Sequence, residues 1–258
     1  ESLGSGAFSV VKLARWRGAS VAVKVMNDSK SASSDTVRAL RKEVRVHKRL
    51  HHEFITHLHG ACTKKPNLWL VMEHARNGSL YEYLHGSGKP LDYPLQIAFL
   101  LDIAKGMHFL HEQGILHRDL KSSNVLVFEN LRLKLCDFGI AKLKESTTAT
   151  TGSTTTTGGV KGTVGWIAPE VFRGEKSTEK SDLYSFGIVC YEISTRLHPF
   201  GRKDSYEVTY AVAQGRRPDF TKRRPPQEVV TLMKTCWHEN QARRPDGFKA
   251  VIKTLEKL

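Results

Sequence analysis

A short segment in the middle of the chain carries side chains suited to moving a phosphoryl group. His117, Arg118 and Asp119 are followed by Lys121 and Asn124. Phosphoryl transfer depends on alignment and charge stabilisation, so its site needs a carboxylate near the acceptor hydroxyl and oxygen ligands for a metal ion. Asp119 and Asn124 can supply these two functions from one loop.

A second oxygen ligand follows at a distance along the chain. Asp137 comes directly after the alternating segment 131–135, which predicts a strand. Mg²⁺ prefers one or two protein oxygens and takes its other ligands from phosphates and water. Asn124 and Asp137 are therefore predicted metal ligands, and Lys121 can neutralise charge beside the Asp119 carboxylate.

Hydrophobic patterns predict the elements that must position these groups. Strands are expected around 8–14, 20–26, 57–61 and 68–73, and the second of them contains the alternating segment 21–23. One helix is expected at 35–50, with Asp35 as its N-cap. The segment that starts at Asp182 is apolar nearly all round, which predicts a helix buried in the centre of the larger part of the fold.

An ordered series of motifs resembles the eukaryotic protein kinases. HRDLKSSN at 117–124 and DFG at 137–139 resemble the catalytic and metal-binding loops of that family. The other matching segments are GSGAFSVV at 4–11, VAVK at 21–24, APE at 168–170, DLYSFG at 182–187 and RP at 244–245. The resemblance spans nearly all 258 residues.

This resemblance implies an α+β fold, the bilobal protein-kinase fold. A small antiparallel sheet with one main helix would form the lobe at 1–72, and a mainly helical lobe would follow at 73–258. ATP would lie between the lobes, and the activation segment would span 137–170. Because the chain begins inside the first expected strand and stops in the last expected helix, we expect a domain of a longer protein.

The resemblance also implies which residues bind ATP. Backbone N–H groups of the glycine-rich loop would contact the phosphates, and Lys24 would hold the α- and β-phosphates. The predicted ATP-binding residues are Gly4, Ser5, Gly6, Ala7, Phe8, Ser9, Val11, Ala22, Lys24, Glu73, Ala75 and Leu126. Ser9 departs from the family, which has a third glycine there, so its side chain adds bulk to the loop.

The predicted helix at 35–50 carries a carboxylate on its inward stripe. Leu40, Glu43 and His47 share this stripe. The kinase pattern pairs Glu43 with Lys24 when the helix swings in, so helix position can switch activity. The family usually has an apolar residue at His47, which we interpret as a buried, hydrogen-bonded core histidine rather than a pH sensor.

Hydroxyl side chains crowd the segment that follows Asp137. Ten of the twelve residues at 146–157 are serine or threonine, so this stretch cannot bury itself. Arg118 can bind a phosphate placed on this segment, which favours regulation by phosphorylation over a passive loop. The residues assigned to regulation or structure are Glu43, Arg118, Phe138, Gly139, Thr154, Thr155, Thr156, Thr157, Thr163, Glu170, Asp182 and Arg244, with Glu170 and Arg244 as a buried ion pair.

The sequence indicates less strongly which hydroxyl residues of a substrate accept the phosphate. Lys121 and Thr163 match kinases that phosphorylate serine and threonine. The segments around 78–85, 165–168 and 181–187 resemble the tyrosine-kinase-like group, which includes the Raf and mixed-lineage families. The resemblance implies ATP with Mg²⁺, or Mn²⁺ in its place, and protein substrates. A dual-specificity kinase and a pseudokinase-like ATP-binding scaffold remain as alternatives.

Composition limits the other classes of function. The net charge of +14 comes partly from two basic clusters, within 38–49 and 216–224, of which the second is the better docking candidate for acidic or phosphorylated partners. No nucleic-acid module pattern and no membrane-spanning apolar stretch accompanies them. The four cysteines lack a zinc or disulfide spacing, which fits a cytoplasmic or nuclear protein. Cys136 is either reactive towards electrophiles or a small core residue.

Overall fold

An antiparallel five-stranded sheet forms the first part of the fold. The computed structural model describes residues 1–6, 9–27, 32–137, 164–201 and 203–258. The strands are β1 (Ser2–Ser5), β2 (Ser9–Trp16), β3 (Ala19–Met26), β4 (Leu58–Lys64) and β5 (Asn67–Glu73), in the spatial order β1-β2-β3-β5-β4. Four of these strands, β2 to β5, overlap the segments in which strands were expected.

Helix α1 (Ser34–His47) packs on this sheet. Its Leu40 joins a small core formed with sheet residues that include Met26 and Leu70. The prediction of Asp35 as N-cap is wrong, because Ser33 has the extended backbone of a cap and its hydroxyl accepts a hydrogen bond from the Thr36 amide at 3.1 Å. Asp35 lies in the first turn, where its negative charge interacts favourably with the helix dipole.

The second part of the described chain is mainly helical. Its helices are α2 (Leu80–His85), α3 (Tyr93–Glu112), α4 (Pro169–Phe172), α5 (Glu179–Thr195), α6 (Ser205–Ala213), α7 (Gln227–Cys236) and α8 (Phe248–Leu255). A hairpin of β6 (Val125–Val127) and β7 (Leu133–Leu135) lies among them. These elements confirm the expected α+β fold, with a small antiparallel sheet that carries one main helix and a mainly helical second part. None of the helices in the described residues is long and apolar enough to cross a membrane.

Helix α5 is the buried centre predicted from its apolar sequence. All of its residues from 181 to 195 are buried. It approaches α7 closely at Gly187, where an added Cβ would lie 3.0 Å from the Cβ of Cys236 and 3.2 Å from the Trp237 amide nitrogen. Only glycine fits this approach without a shift of the backbone.

A backbone connection links α1 to the strand that precedes Asp137. The Leu135 amide donates to the Phe54 carbonyl, and the Thr56 amide donates to the Leu135 carbonyl, both at 2.9 Å. The segment that follows α1 therefore pairs with β7, two residues before Asp137.

The predicted pair of Glu170 and Arg244 is present and buried. The Arg244 guanidinium donates to both oxygens of the Glu170 carboxylate, at 2.7 and 2.8 Å. It also donates to the carbonyls of His238 and Lys180, at 2.8 Å each. This fork ties the start of α4 to the segment that precedes α8.

We expect Arg244→Met to lower the free energy of unfolding by about 3–5 kcal/mol, because it leaves the Glu170 carboxylate buried without its partner. Urea denaturation measures this loss. The double variant Glu170→Met/Arg244→Met should recover part of it, since no unpaired charge remains. Arg173→Met is the control, because Arg173 pairs with Glu239 at an exposed site and should cost no more than about 1 kcal/mol. Equal losses in both single variants would contradict the prediction.

Candidate active site

Asp119, Lys121 and Asn124 meet in one hydrogen-bonded group. The Lys121 ammonium lies 2.9 Å from Oδ2 of Asp119. The Asn124 side-chain amide donates to the same oxygen and to the Asp119 backbone carbonyl, at 2.8 Å each. A short 3₁₀ turn at Ser122–Asn124 brings Asn124 back towards Asp119. The structure thus assembles the three residues that the local spacing predicted.

The buried Asp182 carboxylate holds this loop in place. It accepts hydrogen bonds from the backbone amides of His117 and Arg118, at 2.9 and 2.8 Å, and from Nε2 of His111 at 2.8 Å. Arg118 has a φ of 65°, a left-handed conformation that costs free energy for a residue with a side chain. Asp182 therefore stabilises a strained backbone immediately before Asp119.

Lys24 is bonded to Asp137 in this structure. Its ammonium on β3 lies 2.5 Å from Oδ1 of Asp137. Burial opposes both charges, yet the attraction between the two groups raises the pKa of Lys24 and lowers that of Asp137. Both groups are therefore ionised at neutral pH. Asp137 also has a left-handed backbone, with a φ of 57°.

The predicted ion pair of Lys24 with Glu43 is not formed. Glu43 is buried, and among the described residues its Oε2 has no hydrogen-bond partner. Burial raises the pKa of Glu43 to about 8, although nearby Lys24 acts in the opposite direction. Glu43 is mostly protonated at pH 7, so it cannot compete with the Asp137 carboxylate for the Lys24 ammonium.

His47 is the buried, hydrogen-bonded histidine that the sequence predicts. It lies one turn after Glu43, and its Nε2 is 2.7 Å from the Thr56 carbonyl. Burial lowers its pKa despite this hydrogen bond, so the ring is neutral and donates to the carbonyl. Because Thr56 pairs with Leu135, this contact ties the end of α1 to β7.

Two of the predicted adenine-binding residues lie on paired strands of the five-stranded sheet, and a third lies on the separate hairpin of β6 and β7. Val11 of β2 pairs with Lys24, and Ala22 of β3 pairs with Met72. Leu126 of β6 forms an isolated bridge with Ser79, six residues beyond the end of β5. This bridge links the hairpin to the segment that follows the sheet.

The side chain of Glu73 is engaged in hydrogen bonds within the fold, so it is not available to bind a base. Its two carboxylate oxygens accept from the Lys134 ammonium at 2.9 and 2.8 Å, and Oε1 also accepts from the His57 amide at 2.6 Å. Its backbone amide donates to the His57 carbonyl at 3.1 Å, so the amide too is engaged within the fold. The Ala75 carbonyl accepts from the Gly78 amide at 3.1 Å, which turns the chain towards α2.

The described residues of the glycine-rich loop belong to the ladder of β1 and β2. Gly4 and Ser5 pair with Val11 and Val10 across this ladder. The Gly6 amide donates to the Ser9 carbonyl at 2.7 Å, which adds a hydrogen bond just beyond the end of β1. Ser9 itself is buried at the start of β2.

Asn124 and Asp137 fit the limited oxygen set that Mg²⁺ takes from proteins. The Cys136 amide donates to the Asn124 carbonyl at 3.0 Å, so the two predicted ligands lie at the ends of adjacent strands. Within the described ranges no cluster of three or more histidine, cysteine or acidic side chains could hold a metal ion. A site with two protein oxygens depends on phosphate oxygens for the remaining ligands.

Several predicted residues lie outside the described part of the chain. They are Ala7, Phe8, Phe138, Gly139, Thr154, Thr155, Thr156, Thr157 and Thr163. Cys136 is described and buried, and burial raises the pKa of its thiol well above the ordinary value. The thiol is therefore protonated at neutral pH, which favours a core residue over a reactive one.

Sequence reasoning missed two buried polar contacts near the catalytic loop. Glu192 in α5 accepts from the Ser122 hydroxyl and from the Trp166 indole, both at 2.7 Å. It thereby joins the loop of Asp119 to the turn at Val164–Trp166. The sequence did carry a signal for these contacts, namely the acidic Glu192 inside the otherwise apolar segment 183–193. A buried carboxylate requires hydrogen-bond partners. Lys134, which holds Glu73, occupies the middle of β7 and gave no comparable signal.

The chain belongs to the protein tyrosine and serine/threonine kinase family, whose profile matches residues 1–255. It is 38% identical over 263 residues to serine/threonine-protein kinase CTR1 of Arabidopsis thaliana, which covers 100% of this chain and 31% of that protein. The predicted resemblance to protein kinases of the serine/threonine type is confirmed.

Two further relatives are also named as probable serine/threonine-protein kinases. A probable serine/threonine-protein kinase of Dictyostelium discoideum is 37% identical over 257 residues, which cover 99% of this chain and 27% of that protein. The probable serine/threonine-protein kinase SIS8 of Arabidopsis thaliana is 37% identical over 264 residues, which cover 100% of this chain and 24% of that protein. The chain thus spans about a quarter to a third of the length of these curated relatives.

We expect Asp137→Asn to lower the pKa of Glu43 below its value of about 8. The variant removes the carboxylate that holds Lys24, so the ammonium becomes available to stabilise ionised Glu43. Carbon-13 NMR of the glutamate carboxyl groups measures this titration, and Glu43→Gln identifies the resonance. An unchanged pKa would mean that Glu43 cannot approach Lys24 when Asp137 is neutralised.

We expect His47→Gln to make stability less dependent on pH. A histidine whose pKa is lowered by folding stabilises the fold above its unfolded pKa of about 6.5, and this contribution is lost as pH falls through the folded pKa. Glutamine can donate to Thr56 without titrating. Urea unfolding at several pH values between 5 and 7.5 gives the comparison, with exposed His51→Gln as control. An equal acid loss in wild type and His47→Gln would contradict the expectation.

Proposed function

We propose that this chain is an active protein kinase that transfers the γ-phosphoryl group of ATP to serine and threonine hydroxyls. The observation that supports this best is the group formed by Asp119, Lys121 and Asn124, because it combines a reachable carboxylate with a cation and an amide oxygen. Family membership and the names of the relatives support the same reaction and acceptor class.

Asp119 orients the acceptor hydroxyl and accepts its proton. The hydroxyl oxygen forms a bond to the γ-phosphorus while the bond between that phosphorus and the ADP oxygen breaks. Lys121 lies beside Asp119 and stabilises the charge of the transferred group. Asn124 and Asp137 would hold Mg²⁺, which neutralises charge on the phosphates. Lys24 would bind the α- and β-phosphates.

The arrangement of Lys24 supports an exchange of its partner on activation. Lys24 is bonded to Oδ1 of Asp137, and Glu43 is buried and mostly protonated. A metal ion bound to Asp137 would compete with the ammonium for this carboxylate, and Glu43 can then ionise and hold Lys24 from α1. We propose that phosphorylation within the threonine-rich segment 146–157, or at Thr163, promotes this exchange through Arg118.

An ATP-binding scaffold without transfer activity is the second candidate. The Lys24–Asp137 bond favours it, because this bond occupies two groups that the reaction needs. The two candidates differ in whether bound nucleotide leads to transfer of phosphate.

We expect phosphatase-treated protein to incorporate phosphate on threonines within 146–163 when ATP and Mg²⁺ are added. Intact mass and site mapping measure the incorporation, and a generic serine/threonine peptide measures transfer to an acceptor. Asp119→Asn should lower the rate by about 10²–10⁴-fold through loss of the base, and Asp137→Asn should lower it through loss of a metal ligand. Nucleotide binding by thermal shift without transfer to either acceptor would support the scaffold, and phosphotyrosine would overturn the acceptor class.

A further inference from the structure

A cleft lies between helix α1 and the turn that joins β4 to β5. Its volume is about 470 Å³, within the roughly 300–1,000 Å³ that is typical of ligand-binding clefts. The residues from α1 that line it recur at intervals of three and four, so they lie on one face of the helix. The lining, which we call the basic cleft, consists of Ser34, Val37, Arg38, Arg41, Thr63 and Lys65. None of these residues belongs to the candidate active site.

The side chains that line the basic cleft carry three positive charges and no negative charge. Arg41 extends from α1 towards β4, where its Nη2 lies 3.5 Å from the Thr63 carbonyl oxygen. Arg41 and Lys65 form no ion pair with any residue that the structure describes. Their charges are therefore available to a ligand.

One carboxylate beside the basic cleft offsets part of this charge. Oδ1 of Asp35 lies 3.1 Å from Nη2 of Arg38, and the two side chains are 61% and 79% exposed. An exposed pair of this kind is weak, and ionised Asp35 still leaves an excess of two positive charges. The other carboxyl group of α1, that of Glu43, is buried and mostly protonated at pH 7. The single acidic residue of β4 and β5 is Glu73, which is bound to Lys134.

The structure favours a different basic cluster from the one that the sequence favoured for docking. In the cluster within 216–224, the Arg217 guanidinium is bound to the Glu239 carboxylate at 2.6 Å and to the Trp237 carbonyl at 3.0 Å. Of the cations in the cluster within 38–49, only Arg38 forms an ion pair with a residue that the structure describes. The first cluster therefore keeps more of its charge for a partner, and part of it lines a cleft.

The lining of the basic cleft is better matched to a phosphate monoester than to a carboxylate. The planar guanidinium groups of Arg38 and Arg41 can each donate to two phosphate oxygens. The hydroxyl groups of Ser34 and Thr63 can donate to the same anion. A phosphate monoester carries a charge of about −1.5 to −2 at pH 7, which matches an excess of two positive charges. A carboxylate carries a single negative charge.

We propose that the basic cleft binds a phosphoserine or phosphothreonine side chain of a partner protein. The cleft is concave, so one phosphate on a side chain can enter it, whereas the phosphates of a nucleic-acid duplex or a bilayer lie in extended rows or planes. Half-buried Val37 offers an apolar contact to the carbon atoms next to the phosphate. The proposal concerns binding alone and does not depend on the proposed transfer of phosphate.

A fluorescent peptide of twelve residues tests this binding in the absence of ATP. It carries one phosphothreonine beside a leucine, among glycines and serines, and two control peptides carry threonine or glutamate in place of the phosphothreonine. We expect the phosphopeptide to bind at least about tenfold more tightly than either control, as measured by fluorescence anisotropy. Equally tight binding of the glutamate peptide would overturn the assignment of the cleft to phosphate.

Neighbouring residues provide a matched pair of variants. Arg41→Ala/Lys65→Ala removes two charges from the lining of the cleft, and Lys42→Ala/Lys64→Ala removes two charges beside it. The first variant should weaken phosphopeptide binding at least about tenfold, because it loses charge-assisted hydrogen bonds. The second should weaken it no more than about twofold, through the general field alone. Equal weakening in both variants would mean that total charge explains the binding, and the cleft would be excluded.

All four substituted positions are exposed, so both variants should keep the urea midpoint of the unmodified chain. Arg41→Lys gives an independent check, because it keeps the charge and loses the planar fork. It should bind the phosphopeptide more weakly than the unmodified chain and more tightly than Arg41→Ala/Lys65→Ala. Unchanged phosphopeptide binding in the double variant would refute the basic cleft as the site.

Other sources of phosphate give the remaining outcomes. Inorganic phosphate should displace the labelled peptide only at concentrations at least about tenfold above those of unlabelled phosphopeptide, because it lacks the contact with Val37. Displacement at equal concentrations would assign the cleft to free phosphate and overturn the protein partner. Tighter binding of a DNA duplex, or of vesicles containing phosphatidylserine, that is lost in Arg41→Ala/Lys65→Ala would overturn the proposal in favour of nucleic acid or a membrane.

Discussion

The buried Asp182 carboxylate is the constraint on which the catalytic loop depends. It binds the amides of His117 and Arg118 and the ring of His111, and thereby compensates the left-handed backbone at Arg118. Asp182 lies in the buried part of α5, so the central buried helix of the fold sets the position of the Asp119 loop. Glu192, three turns further along the same helix, holds Ser122 and Trp166. One helix therefore fixes both the loop of Asp119 and the turn near the end of the activation segment.

The other half of the site is held by an exchangeable contact. A single ammonium, that of Lys24, lies between two carboxyl groups, and it can neutralise only one of them well. In this structure Asp137 is ionised and holds it, whereas burial keeps Glu43 mostly protonated. His47 and Thr56 tie the end of α1 to β7. A change in the partner of Lys24 therefore involves a shift of α1, of Asp137, or of both.

The sequence predicted those parts of the site that depend on short separations. Asp119, Lys121 and Asn124 span six residues, so one turn brings them together. Alternation at 21–23 predicted β3, since successive side chains of a strand point to opposite faces of the sheet. The partner of Lys24 could not be predicted, because Asp137 and Glu43 are both carboxylates in reach and their protonation depends on burial in the completed fold. The partners of Arg217, in the basic cluster within 216–224, could not be predicted for the same reason. Its charge is evident in the sequence, but the Trp237 carbonyl and the Glu239 carboxylate that bind its guanidinium are brought to it only by the fold.

The two ends of the activation segment differ in the free energy required to break the contacts that hold them. At its end, Glu170 is locked in a buried fork with Arg244, the Trp166 indole binds Glu192, and the Trp166 carbonyl accepts from Ser185 at 2.7 Å. Breaking such buried polar contacts leaves groups without partners, which is strongly unfavourable. At its start, Asp137 is partly exposed and held by one ammonium that has an alternative partner. We therefore expect a conformational switch in this chain to act on the start of the segment, while its end, which packs against α6, stays fixed.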